Sequence, residues 1–113
     1  MVTSAKNLLV SLSYAQDRPV QRARAAASRL APGGLLVYAT CSLAPTENDE
    51  VVDRLLAEKR PLVLHDAMEA GHLADAAAAP LLAGAERTRR GAIVLPDAGG
   101  GAGPLYWAVL GAG

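Results

Sequence analysis

LAPGGLLVYATCSLAPTENDEVV, residues 30–52, is the most strongly patterned part of this 113-residue chain. After its Pro-Gly-Gly turn, the run Leu35 to Thr40 is almost entirely apolar, which is typical of a strand buried on both faces of a parallel sheet. Cys41 follows the strand, and the acidic segment after Pro45 predicts the first turn of a helix. The pattern therefore predicts a thiol at the carboxyl end of a strand, which is where open α/β sheets build their active sites.

Composition and periodicity predict further elements on both sides of this stretch. A helix is expected over residues 18–30, because Val20, Ala23 and Ala27 recur at helical spacing. The other predicted elements are a helix with its N-cap at Thr46 and its end at Pro61, strands at 62–65, 93–95 and 105–110, an irregular linker at 67–85 and a glycine-rich loop at 97–103.

The composition fits one small domain and excludes several functional classes. Lys plus Arg total 11 and Asp plus Glu total 11, so the chain has no global basic footprint for nucleic acid. A single cysteine excludes an internal disulfide, and His65 and His72 lack ligand spacing, so no metal site is predicted. No apolar run is long enough for a membrane helix and no convincing signal peptide is present. We expect a cytoplasmic or organellar protein that is not secreted.

Residues 30–52 resemble the late motif of the Sun-type (Nop/Sun) RNA cytosine-5 methyltransferases. In that family a Gly-Gly-x-Leu-Val-Tyr-(Ser/Ala)-Thr-Cys-Ser strand precedes a Glu-Asn-(Glu/Asp) helix start. The matching residues are Gly33, Gly34, Leu36, Val37, Tyr38, Ala39, Thr40, Cys41, Ser42, Glu47, Asn48, Asp49 and Val52. Residues 91–96 and 103–107, GAIVLP and GPLYW, are similar to the family's closing hairpin, in the form of its organellar small-subunit rRNA members.

The resemblance implies an α/β fold, the C-terminal half of a class I (Rossmann-like) methyltransferase sheet with a closing antiparallel hairpin. Residues 16–113 would form that half, and residues 1–15 stay unassigned. The strand at 105–110 is expected between those at 35–40 and 62–65. The segments that hold S-adenosylmethionine in the family have no counterpart, so no cofactor-binding residue is predicted. The strand at 35–40 should then expose an edge, to be paired by the missing N-terminal half or by self-association.

The resemblance also implies that Cys41 is the nucleophile, which adds to carbon 6 of a cytosine so that carbon 5 can accept a methyl group. The alternative for Cys41 is a buried structural thiol. Thr40 and Ser42 either orient the loop through their hydroxyls or are ordinary turn residues. Glu47 and Asn48 match the family, but helix capping and compensation of the helix dipole are the favoured explanation for both.

Two further groups have alternative interpretations. Arg87, Arg89 and Arg90 form the densest basic cluster, which either contacts phosphates or, as we favour, is a solvated loop. Tyr106 and Trp107 alternate along a predicted strand, so one is expected in the core and the other on a face or in solvent.

Three functions therefore stay open at the level of sequence. The first is an S-adenosylmethionine-dependent RNA cytosine-5 methyltransferase with rRNA as the expected target. The second is a degenerate, non-catalytic methyltransferase fold that binds RNA or a protein partner. The third is a fragment with no independent role.

Overall fold

The computed structural model describes residues 5–12, 19–58, 61–69, 84–96 and 104–112, with side-chain surroundings from Val20 onward. Its elements in chain order are β1 (Ala5–Leu12), α1 (Pro19–Ala27), β2 (Leu30–Thr40), a short 3-10 turn (Pro45–Glu47), α2 (Asp49–Ala57), β3 (Leu62–His65), β4 (Ala85–Arg87), β5 (Ala92–Val94) and β6 (Leu105–Ala112). The loop predicted at 97–103 and most of the linker predicted at 67–85 lie outside the described residues. No helix in the described ranges is long and apolar enough to cross a bilayer.

One six-stranded mixed sheet organises these elements, in the order β1-β2-β6-β5-β4, with β3 also paired to β6. β1 runs parallel to β2, and all pairings of β6 are antiparallel. β3 and β5 share one side of β6, where β3 lies opposite its last residues and β5 opposite its first. The prediction that the last strand lies between those at 35–40 and 62–65 is therefore confirmed.

The expected open edge on β2 is wrong, because β2 is paired on both sides. Asn7 of β1 lies opposite Leu35 on one side, and Gly111 of β6 lies opposite the same residue on the other. The sequence pattern missed β1 entirely. Its apolar run, LLV at residues 8–10, is short and lacks the turn signals that mark a strand. The strand is therefore recognised only from its pairing with β2.

The two described helices α1 and α2 cover one face of the sheet. Val51, Val52 and Leu55 form the buried stripe of α2, and Ala23 and Ala27 that of α1. They pack against alternate residues of the two central strands, which are Leu36 and Tyr38 of β2 and Tyr106, Ala108 and Leu110 of β6. The rings of Tyr38 and Tyr106 meet edge to face, with centroids 6.4 Å apart. The small alanines of α1 allow this helix to lie close to the sheet.

The opposite face of the sheet carries a smaller core around Trp107, whose indole Nε1 donates a hydrogen bond to the carbonyl oxygen of Ala67 at 2.8 Å. Tyr106 and Trp107 thus lie on opposite faces of the sheet, as the alternation predicts, and both are buried, so neither ring reaches solvent. Leu35 and Val37 are only half-buried here, so full burial of β2 holds on the helix-covered face alone.

The predicted N-cap at Thr46 is also wrong. Thr46 lies inside the 3-10 turn, and Asn48 directly precedes the first residue of α2. The 3-10 turn already begins at Pro45, one residue before the predicted cap, because the fixed φ of proline favours the first position of a helical turn.

Candidate active site at the Cys41 loop

Cys41 directly follows the last residue of β2 and is exposed to solvent. It is therefore not the buried structural thiol that was the alternative interpretation. We call residues 41–48 the Cys41 loop. The loop leads from the end of β2, through the 3-10 turn, to the start of α2.

Asn48 holds the loop on both sides of Cys41. Its side chain is buried, with 4% exposure, and its Oδ1 accepts a hydrogen bond from Thr40 Oγ1 at 2.6 Å. Its Nδ2 donates to the carbonyl oxygen of Ser42 at 2.8 Å. The Ser42 amide in turn donates to Thr40 Oγ1 at 3.2 Å. The residues immediately before and after Cys41 are therefore tied to one buried amide.

Ser42 and Tyr38 connect the loop to Glu47. Ser42 Oγ donates to Glu47 Oε1 at 2.7 Å and accepts from the Ala44 amide at 3.0 Å. Tyr38 Oη donates to the Glu47 carbonyl oxygen at 2.6 Å. Burial, and then the nearby Glu47 carboxylate, raise the pKa of Tyr38, so its hydroxyl keeps the proton that it donates.

The hydroxyls of Thr40 and Ser42 thus orient the loop, the first of the two interpretations that were open. Capping was the favoured explanation for Asn48, and it does not hold for the side chain, which makes no capping hydrogen bond to α2. The backbone carbonyl of Asn48 accepts the first bonds of the helix from Val51 and Val52, at 3.0 and 3.3 Å. The Asn48 side chain is engaged instead with the strand end.

The β4–β5 turn and β6 bind the side chain of Asp49, the first residue of α2. Oδ1 of Asp49 accepts hydrogen bonds from Thr88 Oγ1 at 2.9 Å, from the Arg90 amide at 3.1 Å and from Tyr106 Oη at 2.8 Å. We call these four residues the Asp49 clasp. Burial, followed by the hydrogen bond to Asp49, raises the pKa of Tyr106, so this hydroxyl also stays protonated.

The arginine cluster is engaged with the chain's own carboxylates. Arg89 forms a two-pronged pair with Asp53 at 2.6 Å, and Arg90 Nε joins the same carboxylate at 2.7 Å. These hydrogen bonds lower the pKa of Asp53 to about 2. Arg87 lies in β4 and pairs with Asp66 at 3.0 Å. The prediction of a solvated loop therefore missed two structural contacts. Arg89 and Arg90 connect the β4–β5 turn to α2, and Arg87 connects β4 to the end of β3.

Sequence reasoning missed Thr88 and Arg90 as residues that support the site. Their partner Asp49 is 39 and 41 residues away in the chain, and no local pattern signals a contact at that distance. Among the described residues, no group of His, Cys, Asp and Glu side chains could hold a metal ion.

The described residues do not form a site that fits S-adenosylmethionine beside Cys41. A cavity of about 420 Å³ lies between Leu30 and Ala112, at the amino end of β2. Cys41 is at the other end of this 11-residue strand, roughly 30 Å away at the usual rise per residue. A second cavity of about 300 Å³ lies at the end of β3, where its lining combines Leu64 and Ala67 with His65, Asp66 and the arginine-rich β4–β5 turn.

Comparison with known proteins gives consistent relatives. A family model described as 16S rRNA methyltransferase RsmB/F matches residues 12–90. A tRNA (cytosine(49)-C(5))-methyltransferase of Pyrococcus abyssi is 62% identical over 32 residues, which are 28% of this chain and 10% of that protein. A mitochondrial tRNA (cytosine(34)-C(5))-methyltransferase of Mus musculus is 31% identical over 91 residues, 80% of this chain and 25% of that protein.

The fold has a solved counterpart. The crystal structure of a methyltransferase homolog protein from Pyrococcus horikoshii superposes with a TM-score of 0.72 at 17% identity, over 97% of this chain and 40% of that chain. The chain thus corresponds to less than half the length of each of these relatives.

Proposed function

Because the chain belongs to the 16S rRNA methyltransferase RsmB/F family, we propose that it forms the part of an RNA cytosine-5 methyltransferase that carries the nucleophile, Cys41. One observation carries the proposal. The only thiol of the chain is exposed at the carboxyl end of a central strand, and the loop around it is held by five buried or half-buried side chains. The boundary between residues 15 and 16 stays a prediction.

Cys41 would act by covalent catalysis. Its thiolate adds to carbon 6 of cytosine, which forms a C–S bond and moves the electron pair of the C5=C6 bond toward carbon 5. Carbon 5 thereby becomes the nucleophile. Once carbon 5 is methylated, its proton is lost to a base, the C5=C6 bond reforms and the thiolate leaves. The role of this chain would be to hold the thiol at a fixed position. A thiol that is already oriented for attack lowers the entropic part of the activation barrier.

S-adenosylmethionine is the methyl donor that the family implies. Because the described residues offer no site for it, we propose that the N-terminal half of such a domain supplies that site. Two observations support such a partner: the chain covers 40% of the solved counterpart, and Leu35, Val37 and Ala39 of β2 are only half-buried on the face that neither α1 nor α2 covers. The partner would meet the sheet on that face or along β1, the end strand of the sheet order, since both edges of β2 are already paired.

We propose rRNA as the substrate, on the family's description, and tRNA as the second candidate, because both named relatives act on tRNA. A location in the cytoplasm or an organelle stays a prediction, and the mitochondrial mouse relative favours the organelle. The competing function is a non-catalytic fold that binds RNA or a protein partner, which would need no cofactor site.

The test is covalent trapping on RNA that contains 5-azacytidine, whose ring forms a persistent adduct with an attacking thiolate. The chain is incubated with such rRNA or tRNA, with S-adenosylmethionine present, alone and with the N-terminal half of a relative's catalytic domain. Denaturing gels should show an adduct for the wild type and none for Cys41→Ala. An adduct of equal yield with Cys41→Ala would refute the role of Cys41. RNA binding without any adduct would favour the non-catalytic alternative.

A further inference from the structure

We propose that Asp49 and Tyr106 are positioning residues for Cys41: the closing hairpin holds the first residue of α2, and through it sets the place of the Cys41 loop. The proposal deepens the proposed function and rests on Cys41 being the nucleophile. It assigns a task to a contact between segments 57 residues apart in the chain.

Three hydrogen-bond donors fix the side chain of Asp49. One carboxylate oxygen accepts bonds from a side-chain hydroxyl of the β4–β5 turn, from a backbone amide of the same turn and from the buried hydroxyl of Tyr106. Hydrogen bonds to a carboxylate are about twice as strong as bonds between neutral groups. Three donors at 2.8 to 3.1 Å therefore leave this oxygen little freedom to move.

The turn that supplies two of these donors is itself closed. The Thr88 amide donates to the Gly91 carbonyl oxygen at 2.9 Å, and the Gly91 amide donates to Thr88 Oγ1 at 2.9 Å. One helical turn further along α2, Asp53 is held by Arg89 and Arg90. The turn thus contacts α2 at two carboxylates that lie one helical turn apart.

The path from Asp49 to Cys41 is short. Asp49 is bonded through the backbone to Asn48, whose buried amide holds Thr40 and the carbonyl oxygen of Ser42 on either side of Cys41. The start of α2 cannot shift without moving this amide. If the clasp is released, the loop keeps its hydrogen bonds to Tyr38 and Thr40 of β2 but loses its tie to β6 and the β4–β5 turn.

The chain contains a matched control for this proposal. Tyr106 and Trp107 are neighbours in β6, both are buried, and each donates one hydrogen bond, but on opposite faces of the sheet. Tyr106→Phe removes the bond to Asp49, and Trp107→Phe removes the bond to Ala67. Both lose a buried hydrogen bond and both should lower the melting temperature. Only the first touches the route to Cys41.

The experiment uses the single, exposed cysteine as its own reporter. A nitroxide spin label attached to Cys41 of this chain reports the motion of the loop by electron paramagnetic resonance, with no need for activity. We expect faster label motion in Asp49→Ala and Tyr106→Phe, and wild-type motion in Trp107→Phe. Asp49→Asn should restore slow motion, because its amide oxygen can still accept from the clasp. Equal mobilisation by Trp107→Phe and Tyr106→Phe, or an unchanged spectrum in Asp49→Ala, would overturn the proposal.

A second readout separates this proposal from the function on which it rests. In the trapping assay, Asp49→Ala should lower the rate of adduct formation by about 10- to 100-fold, the scale expected for a nucleophile displaced by about 1 Å. The RNA concentration at half-maximal rate should change little. No adduct from the wild type would count against the proposed function, whereas a normal rate in Asp49→Ala would count against the positioning role.

Discussion

Replacing Asn48 with Asp exchanges one NH2 group for an oxygen and leaves the shape of the side chain unchanged. The Nδ2 of Asn48 donates to the Ser42 carbonyl oxygen at 2.8 Å, in a place where the side chain is 4% exposed. After Asn48→Asp, two acceptor oxygens would face each other across that distance. The bond from Thr40 Oγ1 can persist, because the other carboxylate oxygen still accepts it. The substitution therefore isolates one contact of the loop.

The cost follows from the chemistry of that contact. A buried carbonyl left without its donor costs about 1–3 kcal/mol, and an uncompensated buried charge raises the total to roughly 3–5 kcal/mol. For a domain of this size, each 1 kcal/mol lowers the melting temperature by about 4–8 °C. We therefore expect Asn48→Asp to lower the melting temperature by roughly 12–40 °C at pH about 7.

The stability of Asn48→Asp should also depend on pH. Burial and the facing Ser42 carbonyl both disfavour the charged form, so the pKa of the introduced carboxyl should be raised in the folded state above its unfolded value. The folded state then binds the proton more tightly, and the loss of stability shrinks as the pH falls through the folded pKa. Once protonated, the carboxyl can donate to Ser42 as the amide did. Asn48→Ala has no such proton, so its deficit should not follow pH.

Thermal unfolding of the wild type and both variants between pH about 4 and 8 measures this difference, starting near the pKa of about 3.9 at which an ordinary aspartate titrates. The expected result is a deficit for Asn48→Asp that narrows toward acid, while the deficit of Asn48→Ala stays level. A deficit that is the same for both variants at every pH, or wild-type stability of Asn48→Asp at neutral pH, would refute the role assigned to the Nδ2 group.

Two further predictions concern the hairpin. The pKa of Asp53 is lowered from 3.8 to about 2, so its ion pairs should contribute stability above pH about 4 that is lost as the pH falls toward about 2. Because this carboxylate is one-third exposed, the contribution should be only about 1 kcal/mol. The measurement compares the stability of the wild type and of Asp53→Asn as the pH is lowered. Parallel stability curves for the two proteins would contradict the prediction. A Cβ on Gly91 would overlap the Trp107 carbonyl oxygen, which is backbone and cannot move, whereas a Cβ on Gly111 would meet only the tip of the His65 ring. Gly91→Ala should therefore destabilise the chain by about 2 kcal/mol or more and Gly111→Ala by clearly less, as chemical denaturation will measure; the reverse order would contradict the close approach of the hairpin to β6.

Local sequence was enough to predict β2, α2, β3 and the position of Cys41 at a strand end. Each depends on neighbours within a few residues: an unbroken apolar run, a proline-opened acidic turn, an apolar stripe at helical spacing. The family motif added the placement of β6 between β2 and β3, which the sheet pairing confirms.

Tertiary structure alone decided the rest, because the deciding contacts join residues that are far apart in the chain. Asn48 has the local preference of a cap, yet its amide reaches back to Thr40 once the loop has turned. Arg90 has the sequence context of a surface loop, yet its backbone amide binds Asp49, 41 residues earlier. Alternation along β6 correctly separates Tyr106 from Trp107, but only packing on both faces of the sheet buries both. A period of two along a strand tells which side chains share a face, and what covers each face depends on the whole fold.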